Sequence, residues 1–379
     1  MKKIFFCIFI LFSTLPIFTF DFGGSIYNDL NLINTDNFAL KDDLVLNLYF
    51  TSPLDYQGNT KINFDGSFHT DFSLPKEKAT NYLDVNQLNL SMSIPLGNNV
   101  DCNFLLGRDY FADITQLIYK DKIDGLFFGF TFSHLDFNLL AGYTGLLNHL
   151  NHKSTFFTSI LSSDKKTLYC SASKNGTIIA QGNINIYDLI ILPDISLETL
   201  FFLNPQNPYA NNIYLTLNLK NDLSKNFQYN IISSLQYKLT TKSKPANLTY
   251  GELIYTIKYL SISGNAVFSS YDNDKLSQFV PYTPTNLTKI ETTMLADLLK
   301  AGIKAKADMI NKASLILDVN LFWDLAKAKP IYKYKGLQWD LILDIYSLSD
   351  FSMYINFGQF LYPEFKTNFY LQTSIKFDF

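Results

Sequence analysis

The most constraining feature of this chain is its final segment, from Phe369 to Phe379, in which apolar and polar residues alternate without interruption. In a β-strand successive side chains point to opposite faces, so this segment has one nearly continuous apolar face and one polar face. A tilted strand needs roughly 9–11 residues to cross a bilayer, and this segment supplies that length. An apolar strand edge of this kind promotes aggregation in water. The segment therefore predicts a transmembrane strand.

The strand ends on an aromatic residue, and this ending resembles the C-terminal signal of bacterial outer-membrane barrels. The apolar side chains that would form the signal are Phe369, Leu371, Ile375, Phe377 and Phe379. The resemblance implies that the barrel-assembly machinery and outer-membrane lipid are partners of the chain.

The composition agrees with a strand-built membrane protein. Of the 379 residues, 16% are aromatic and only 17% are charged, against about 25% charged residues in typical soluble domains. After the first twenty residues no apolar run reaches the ~18 residues that indicate a membrane helix. The net charge of -3 gives no basic surface for nucleic acid. A large soluble β protein is the alternative that composition leaves open.

The beginning of the chain has the pattern of a secretory signal peptide. Lys2 and Lys3 form a positive region, and the residues from Ile4 to Phe12 form an apolar core of signal-peptide length. We expect residues 1–20 to be the signal peptide and residues 21–379 to form a single outer-membrane β-barrel domain. Export would then place the domain in the bacterial outer membrane.

Segments with a period of two residues recur along the whole chain. In one of them Leu44, Leu46, Leu48 and Phe50 alternate with Val45 and three more polar residues. Others lie at 87–94, 126–133, 213–219, 315–324, 337–346 and 351–358. This pattern predicts an all-β protein, a transmembrane antiparallel β-barrel of about eighteen strands, with sixteen to twenty possible.

Two segments leave the strand count open. Residues 155–173 fit either a hairpin or a loop. Residues 292–313 alternate as a strand does, but their Ala, Leu and Lys content also suits a short helix inside the barrel.

The connections between the strands fall into a short set and a long set, as expected when one end of a barrel has tight periplasmic turns and the other has extracellular loops. The predicted short turns are 95–99, 133–135, 192–194, 222–225 and 348–350. The predicted long loops are 73–81, 109–123, 147–167, 204–211, 240–247, 271–290 and 327–335. We expect an inward loop to narrow the channel, and the loops at 109–123 and 271–290 are the candidates for it.

Arg108 is the only arginine among 31 basic residues. Its guanidinium offers a planar fork for carboxylates that lysine does not reproduce. One interpretation is a cation at the pore constriction that holds an inward loop or selects solutes, and the other is a simple ion pair at the rim. The full set of candidate constriction residues is Arg108, Asp109, Asp318, Asp340, Asp344, Lys300 and Lys304.

Short motifs give a family resemblance. Gly107-Arg108, followed by the loop to Asp124-Gly125, resembles the strand–loop–strand unit of alginate-export porins and related outer-membrane porins. The stretches 336–341 and 356–363 are similar to two later strands of that family. The resemblance implies a monomeric barrel of about eighteen strands that lets polar solutes cross the outer membrane.

The function predicted from these features is a porin for passive diffusion of small hydrophilic solutes. The alternative is a surface adhesin or ligand-binding barrel with a plugged lumen. No cofactor is expected, and no metal site is expected from His149 and His152 because further ligands are missing from their neighbourhood. His69 and His134 have no nucleophile pattern near them, so no enzyme is expected.

Overall fold

The alternation along the chain produces a sheet whose two faces differ in polarity. In the computed structural model eighteen antiparallel strands form this sheet, and each strand pairs with the strands before and after it in the chain. The first strand pairs with both the second and the last, so the sheet closes into a barrel. The predicted all-β barrel of about eighteen strands is confirmed.

The structure describes residues 20–34, 38–74, 78–97, 99–144, 176–188, 192–205, 207–240, 244–272, 276–282, 295–310, 312–325, 332–348, 350–364 and 366–379. Residues 1–19, which make up nearly all of the expected signal peptide, lie outside this set. The segment 155–173, for which a hairpin and a loop are both open, also lies outside it, as do His149 and His152.

The strands range from 9 residues in β7 to 20 residues in β4, and the longest extend well beyond the roughly 9–11 residues that cross a bilayer. Their bounds are β1 Asp21–Asn34, β2 Phe38–Pro53, β3 Thr60–Leu74, β4 Lys78–Gly97, β5 Val100–Ala112, β6 Lys120–Thr131, β7 Leu135–Tyr143, β8 Ile178–Ile186, β9 Asp194–Leu203, β10 Asn212–Ser224, β11 Phe227–Lys238, β12 Ala246–Ile257, β13 Leu260–Ser269, β14 Leu298–Ile310, β15 Ala313–Leu325, β16 Tyr332–Leu348, β17 Phe351–Leu361 and β18 Thr367–Asp378. A single-turn 3₁₀ helix, Pro208–Ala210, lies between β9 and β10.

The strands direct most of their large apolar side chains to the outside of the barrel. In β2, Leu44, Leu46 and Leu48 are 46%, 36% and 38% exposed, whereas Val45 between them is 5% exposed because it points inward. A soluble protein would bury these leucines, and lipid is the surrounding in which they are stable. No helix among the described residues is long and apolar enough to span a membrane.

The segment whose composition suits a helix is a strand. β14 pairs with β13 along its length from Leu299 to Ala307 and with β15 on its other side. Its lysines alternate with apolar residues, so the strand places the charges inside and Ile303 outside. Inclusion in the sheet therefore overrides helix propensity, which is a weak preference of less than about 1 kcal/mol per residue.

Several long connections are shorter than the sequence predicts, because the strands continue into the expected loops. β3 and β4 remain paired up to Ser73 and Lys78, inside the loop predicted at 73–81. β16 begins at Tyr332, inside the loop predicted at 327–335. These extensions alternate weakly, so cross-strand hydrogen bonding rather than side-chain pattern fixes the ends of the strands.

Candidate functional site

The end of β5 and the start of β6, together with the connection between them, form a hairpin that folds into the lumen, the interior of the barrel. The β4–β5 ladder stops at Leu88 and Arg108, whereas the β5–β6 ladder continues to Ala112 and Lys120. Gly107 allows this departure because it has a φ of +127° and because a Cβ there would lie 2.3 Å from the Leu88 carbonyl oxygen. We call β5 from Arg108, the connection 113–119 and β6 up to Asp124 the inward hairpin.

Asp113 organises the connection at the tip of the inward hairpin. Its Oδ1 accepts hydrogen bonds from the backbone N–H groups of Ile118 at 3.0 Å and Tyr119 at 2.8 Å. Its Oδ2 accepts from the N–H of Thr115 at 2.8 Å and from the Thr115 hydroxyl. Burial raises the pKa of Asp113 above its ordinary value, and these hydrogen bonds oppose the shift. One carboxylate thus satisfies the donors of a turn that would otherwise be buried without partners.

The tip of the inward hairpin packs into an apolar cluster inside the barrel, which we call the lumen cluster. Its aromatic centre contains the Tyr282 ring stacked on Phe202 at 4.1 Å and the Tyr119 ring 5.7 Å from Phe202. Tyr119 is fully buried there, and burial raises the pKa of its phenol well above the ordinary value. The members of the lumen cluster are Ile118, Tyr119, Ile123, Leu140, Ile179, Leu200, Phe202, Tyr214, Ala246, Leu248, Val267, Phe279, Tyr282 and Leu295.

In the connection between β13 and β14, the described residues 279–282 and 295 pack inside the barrel and are held to the wall by hydrogen bonds. The Tyr214 hydroxyl donates to the Val280 carbonyl oxygen at 2.6 Å, and the Val280 N–H donates to Gln236 Oε1 at 2.8 Å. The Ser269 hydroxyl donates to the Leu295 carbonyl oxygen at 2.9 Å. The prediction that the loops at 109–123 and 271–290 fold inward is confirmed for their described residues.

Arg108 lies at the base of the inward hairpin and not at an open rim. Its side chain is 2% exposed, and its Nη1 lies 3.1 Å from Oδ2 of Asp124 on the neighbouring strand. Among the described residues, Nε and Nη2 of Arg108 have no hydrogen-bond partner. The buried pair ties β5 to β6 where the hairpin leaves the wall.

Two further contacts hold the inward hairpin against β4. Lys122 Nζ donates to Asp84 Oδ2 at 2.7 Å and to Asn86 Oδ1 at 2.6 Å. Asp109 Oδ2 accepts from Asn89 Nδ2 at 2.9 Å. These side-chain contacts connect β4 to the hairpin where the backbone ladder between β4 and β5 is absent.

The remaining constriction candidates lie on the opposite side of the barrel. In a ring of eighteen strands β14 is nine positions from β5, so the two strands face each other across the lumen. Lys304 is directly opposite Asp318 in the β14–β15 ladder, and Asp318 is opposite Asp340 in the next ladder. We call Lys300, Lys304, Asp318 and Asp340 the charged belt.

Asp344 lies outside the charged belt. It is four residues beyond Asp340 in β16, which places it about 13 Å nearer the short turns. There it lines a 330 Å³ cavity together with Tyr27, Tyr354, Gln372 and Lys376. The inner wall of β16–β18 and β1 is therefore polar and open at the short-turn end.

The last strand completes the wall. The backbone N–H of Gly24 donates to the Phe379 carbonyl oxygen, and the Phe379 N–H donates to the Gly24 carbonyl oxygen, both at 2.9 Å. Phe369, Phe377 and Phe379 are exposed on the outside of the barrel. Leu371 and Ile375 lie at even spacings from these phenylalanines along β18, so they share the same outer face.

Sequence reasoning missed Asp113, Glu198 and the Lys122–Asp84 pair. Glu198 lies on β9, is 3% exposed, and accepts hydrogen bonds from Gln181 Nε2 at 2.5 Å and from the Ile114 N–H at 3.1 Å. Alternation does place Glu198 inward, on the face of Leu200 and Phe202. Its partner at the hairpin tip is 84 residues away, a contact that no local pattern predicts.

No family model and no curated protein matches the sequence. Solved structures do match the fold. The outer membrane protein OprD from Pseudomonas aeruginosa has a TM-score of 0.62 at 10% identity, with 96% of this chain and 94% of that chain covered. OccK2 (OpdF) from the same organism, solved in complex with glucuronate, has a TM-score of 0.63 at 7% identity, with 95% and 96% covered. OccK5 (OpdH) has a TM-score of 0.60 at 10% identity, with 94% and 98% covered. The chain therefore has the eighteen-stranded fold of these outer-membrane proteins.

Proposed function

We propose that the protein is a bacterial outer-membrane channel through which small hydrophilic solutes diffuse passively. The observation that carries this proposal is a closed barrel with leucine and phenylalanine outside, polar side chains inside and a hairpin folded into the lumen. An apolar exterior stabilises the barrel in lipid, and a polar interior admits water. The fold shared with OprD supports the same assignment.

The proposed solute path follows one side of the lumen. The lumen cluster occupies the side formed by β6–β13, where its side chains are buried. The other side, formed by β14–β18 and β1, has the charged belt and the polar cavity around Tyr354 and Gln372. Water and small solutes would pass along this polar wall, and the inward hairpin would set the width of the path.

Within this channel Arg108 and Asp109 act by positioning. The Arg108–Asp124 pair and the Asp109–Asn89 hydrogen bond hold the inward hairpin in place. The charged belt contributes two lysines and two aspartates, which offset one another. Rings of a single charge produce strong ion selectivity, so we expect this channel to be weakly selective.

The sequence resemblance to alginate-export porins raises the question of whether the solute is a polyuronate. Glucuronate is bound in the OccK2 structure, and a polyuronate path through this chain would need several cations along it. Arg108 is the one arginine of the chain and is buried in an ion pair. We therefore propose small neutral or zwitterionic solutes rather than a polyuronate. Outer-membrane lipid and the barrel-assembly machinery are the proposed partners, and the barrel would act as a monomer.

Planar-bilayer recordings test the channel and its charged belt together. The reconstituted barrel should give steady single-channel conductance. Lys304→Gln leaves Asp318 without its opposite charge and should raise the ratio of cation to anion permeability by about twofold or more. Lys225→Gln, in an exposed turn, is the matched control and should leave the reversal potential unchanged. A barrel that inserts but never conducts would refute the proposal.

A second candidate function is a ligand-binding barrel with a closed lumen. The extent of the lumen cluster favours it, since two connections and seven strands bury fourteen residues there. Liposome swelling separates the two functions. Sugars enter through a channel at rates that fall as the size of the sugar increases, whereas a closed barrel admits none.

A further inference from the structure

Three metal-ligand side chains meet on the inner wall of β2 and β3, away from the inward hairpin. Asp43 and Asp71 are directly opposite in the β2–β3 ladder. His69 is two residues before Asp71, so its ring lies on the same inner face. One ligand atom from each of the three residues lies within 4.8 Å of the other two. We call these three residues the Asp–His–Asp cluster.

The ligand atoms of the cluster have no hydrogen-bond partner. Oδ1 of Asp43, Nδ1 of His69 and Oδ1 of Asp71 are each buried, and none is hydrogen-bonded within the described residues. Buried polar atoms without partners are rare in folded proteins, and a bound ion is one of the few explanations for them. Here each of the three residues of the cluster has such an atom, and the His69 and Asp43 atoms lie 3.5 Å apart.

The geometry around His69 leaves Nδ1 available as a ligand. Nε2 lies 2.8 Å from the Ser67 hydroxyl oxygen, and the ring stacks on Tyr82 with centroids 4.5 Å apart. With Ser67 accepting, Nε2 carries the ring proton and Nδ1 presents a lone pair to the carboxylates. Such a hydrogen bond on the opposite nitrogen is the usual support of a metal-bound histidine.

The distances favour an ion over a direct contact. His69 Nδ1 lies 3.5 Å from Asp43 Oδ1, which is too long for a good hydrogen bond. Two ligands held at ~2.1 Å from a tetrahedral ion are about 3.4 Å apart. The three ligand atoms lie within 4.8 Å of one another, so a closure of ~1.4 Å or less would bring them to the separations found around a tetrahedral ion.

The charges around the cluster also favour a cation. Asp29 lies opposite Asp43 in the β1–β2 ladder and adds a third carboxylate. Of the nearby lysines, Lys122 is committed to Asp84 at 2.7 Å, and Lys41 is exposed. Facing carboxylates that lack a donor repel each other unless a proton or a cation lies between them.

We propose that Asp43, His69 and Asp71 bind a divalent first-row transition ion, of which Zn²⁺ is the natural probe. Imidazole together with carboxylates suits such ions better than Ca²⁺ or Mg²⁺, which prefer oxygen ligands alone. Three protein ligands leave a coordination position for water or a solute group on the lumen side. The site does not depend on the channel assignment, and it revises the expectation that the chain has no metal site.

Isothermal titration calorimetry tests this proposal. The folded barrel is treated with a chelator, kept in detergent and titrated with Zn²⁺. We expect one saturable site, and we expect His69→Gln and Asp71→Asn each to weaken Zn²⁺ binding at least tenfold. His134→Gln changes a histidine in an exposed turn and should leave binding unchanged. The double variant His149→Gln/His152→Gln should also bind as the wild type does.

Folding of each variant is checked by heat-modifiable migration on a gel. In addition, the visible absorption spectrum of the Co²⁺-loaded barrel should change in His69→Gln. Absence of saturable binding overturns the proposal and leaves a proton shared by the two carboxylates as the explanation. Equal Zn²⁺ affinity in the wild type and His69→Gln overturns it as well.

Discussion

Removal of the Arg108 guanidinium should release the inward hairpin while leaving the barrel folded. At the observed 3.1 Å separation from Asp124, the Coulomb attraction is about 5 kcal/mol at an effective dielectric constant of 20. The cost of removing both charged groups from water offsets part of this attraction. Loss of one partner of a buried pair nevertheless costs about 3–5 kcal/mol, because the other charge is left uncompensated. Asp124, at 13% side-chain exposure, has little water to replace the guanidinium.

A cost of about 3 kcal/mol corresponds to a factor of roughly 100 in the equilibrium between the seated and the released hairpin. We therefore expect Arg108→Ala to show larger and noisier single-channel currents in planar bilayers. Arg108→Lys keeps the charge but loses the planar fork, so its currents should be intermediate. Heat-modifiable migration should remain as in the wild type, because the ladders on all other strands are intact.

The matched control removes both charges. In Arg108→Leu/Asp124→Leu no buried charge is left unpaired, so the currents should return toward those of the wild type. The reasoning fails if Arg108→Ala has the conductance and noise of the wild type. It also fails if the double variant is as noisy as Arg108→Ala, since the uncompensated Asp124 would then not be the cause.

Two further predictions concern the hairpin tip and barrel assembly. Asp113→Ala leaves three backbone N–H groups without their acceptor, and each buried donor without a partner costs about 1–3 kcal/mol of stability. Limited proteolysis should therefore cut the 113–119 connection faster, while the detergent-solubilised barrel stays folded. Equal cleavage rates in the variant and the wild type would contradict the role of Asp113 in holding this turn. Phe379→Ala removes an exposed aromatic side chain at the β1–β18 closure and should slow folding by purified assembly machinery severalfold. Phe68→Ala, which removes an exposed phenylalanine on β3, should have little effect. Equal rates for the two variants would remove Phe379 from the signal.

The strands and their faces follow from the sequence, because a period of two residues is a local property. Leu44, Leu46 and Leu48 indicate an outward face without knowledge of any neighbour. The inward placement of the belt residues Lys304, Asp318 and Asp340 follows from the same rule. Strand ends were less predictable, since hydrogen bonds to a neighbour extend β3, β4 and β16 through residues of weak alternation.

The partners of the inward-facing residues required the tertiary structure. Arg108 is conspicuous in the sequence as a single arginine, but its burial depends on where the β4–β5 ladder stops. The position at which the hairpin tip packs depends on Phe202, Tyr282 and other residues that are distant in the sequence. The Asp–His–Asp cluster arises only when the register sets Asp43 opposite Asp71.

The sequence by itself determined which face of most strands is apolar and that about eighteen strands form the ring, and the structure then fixed the number at eighteen. Alternation encodes these properties residue by residue. The tertiary structure decided what fills the ring, because a side chain on the inner wall can meet any of the seventeen other strands or an inward connection. Closure of the barrel sets these contacts through the strand register and the direction of the inward hairpin. A local pattern of polarity specifies neither of them.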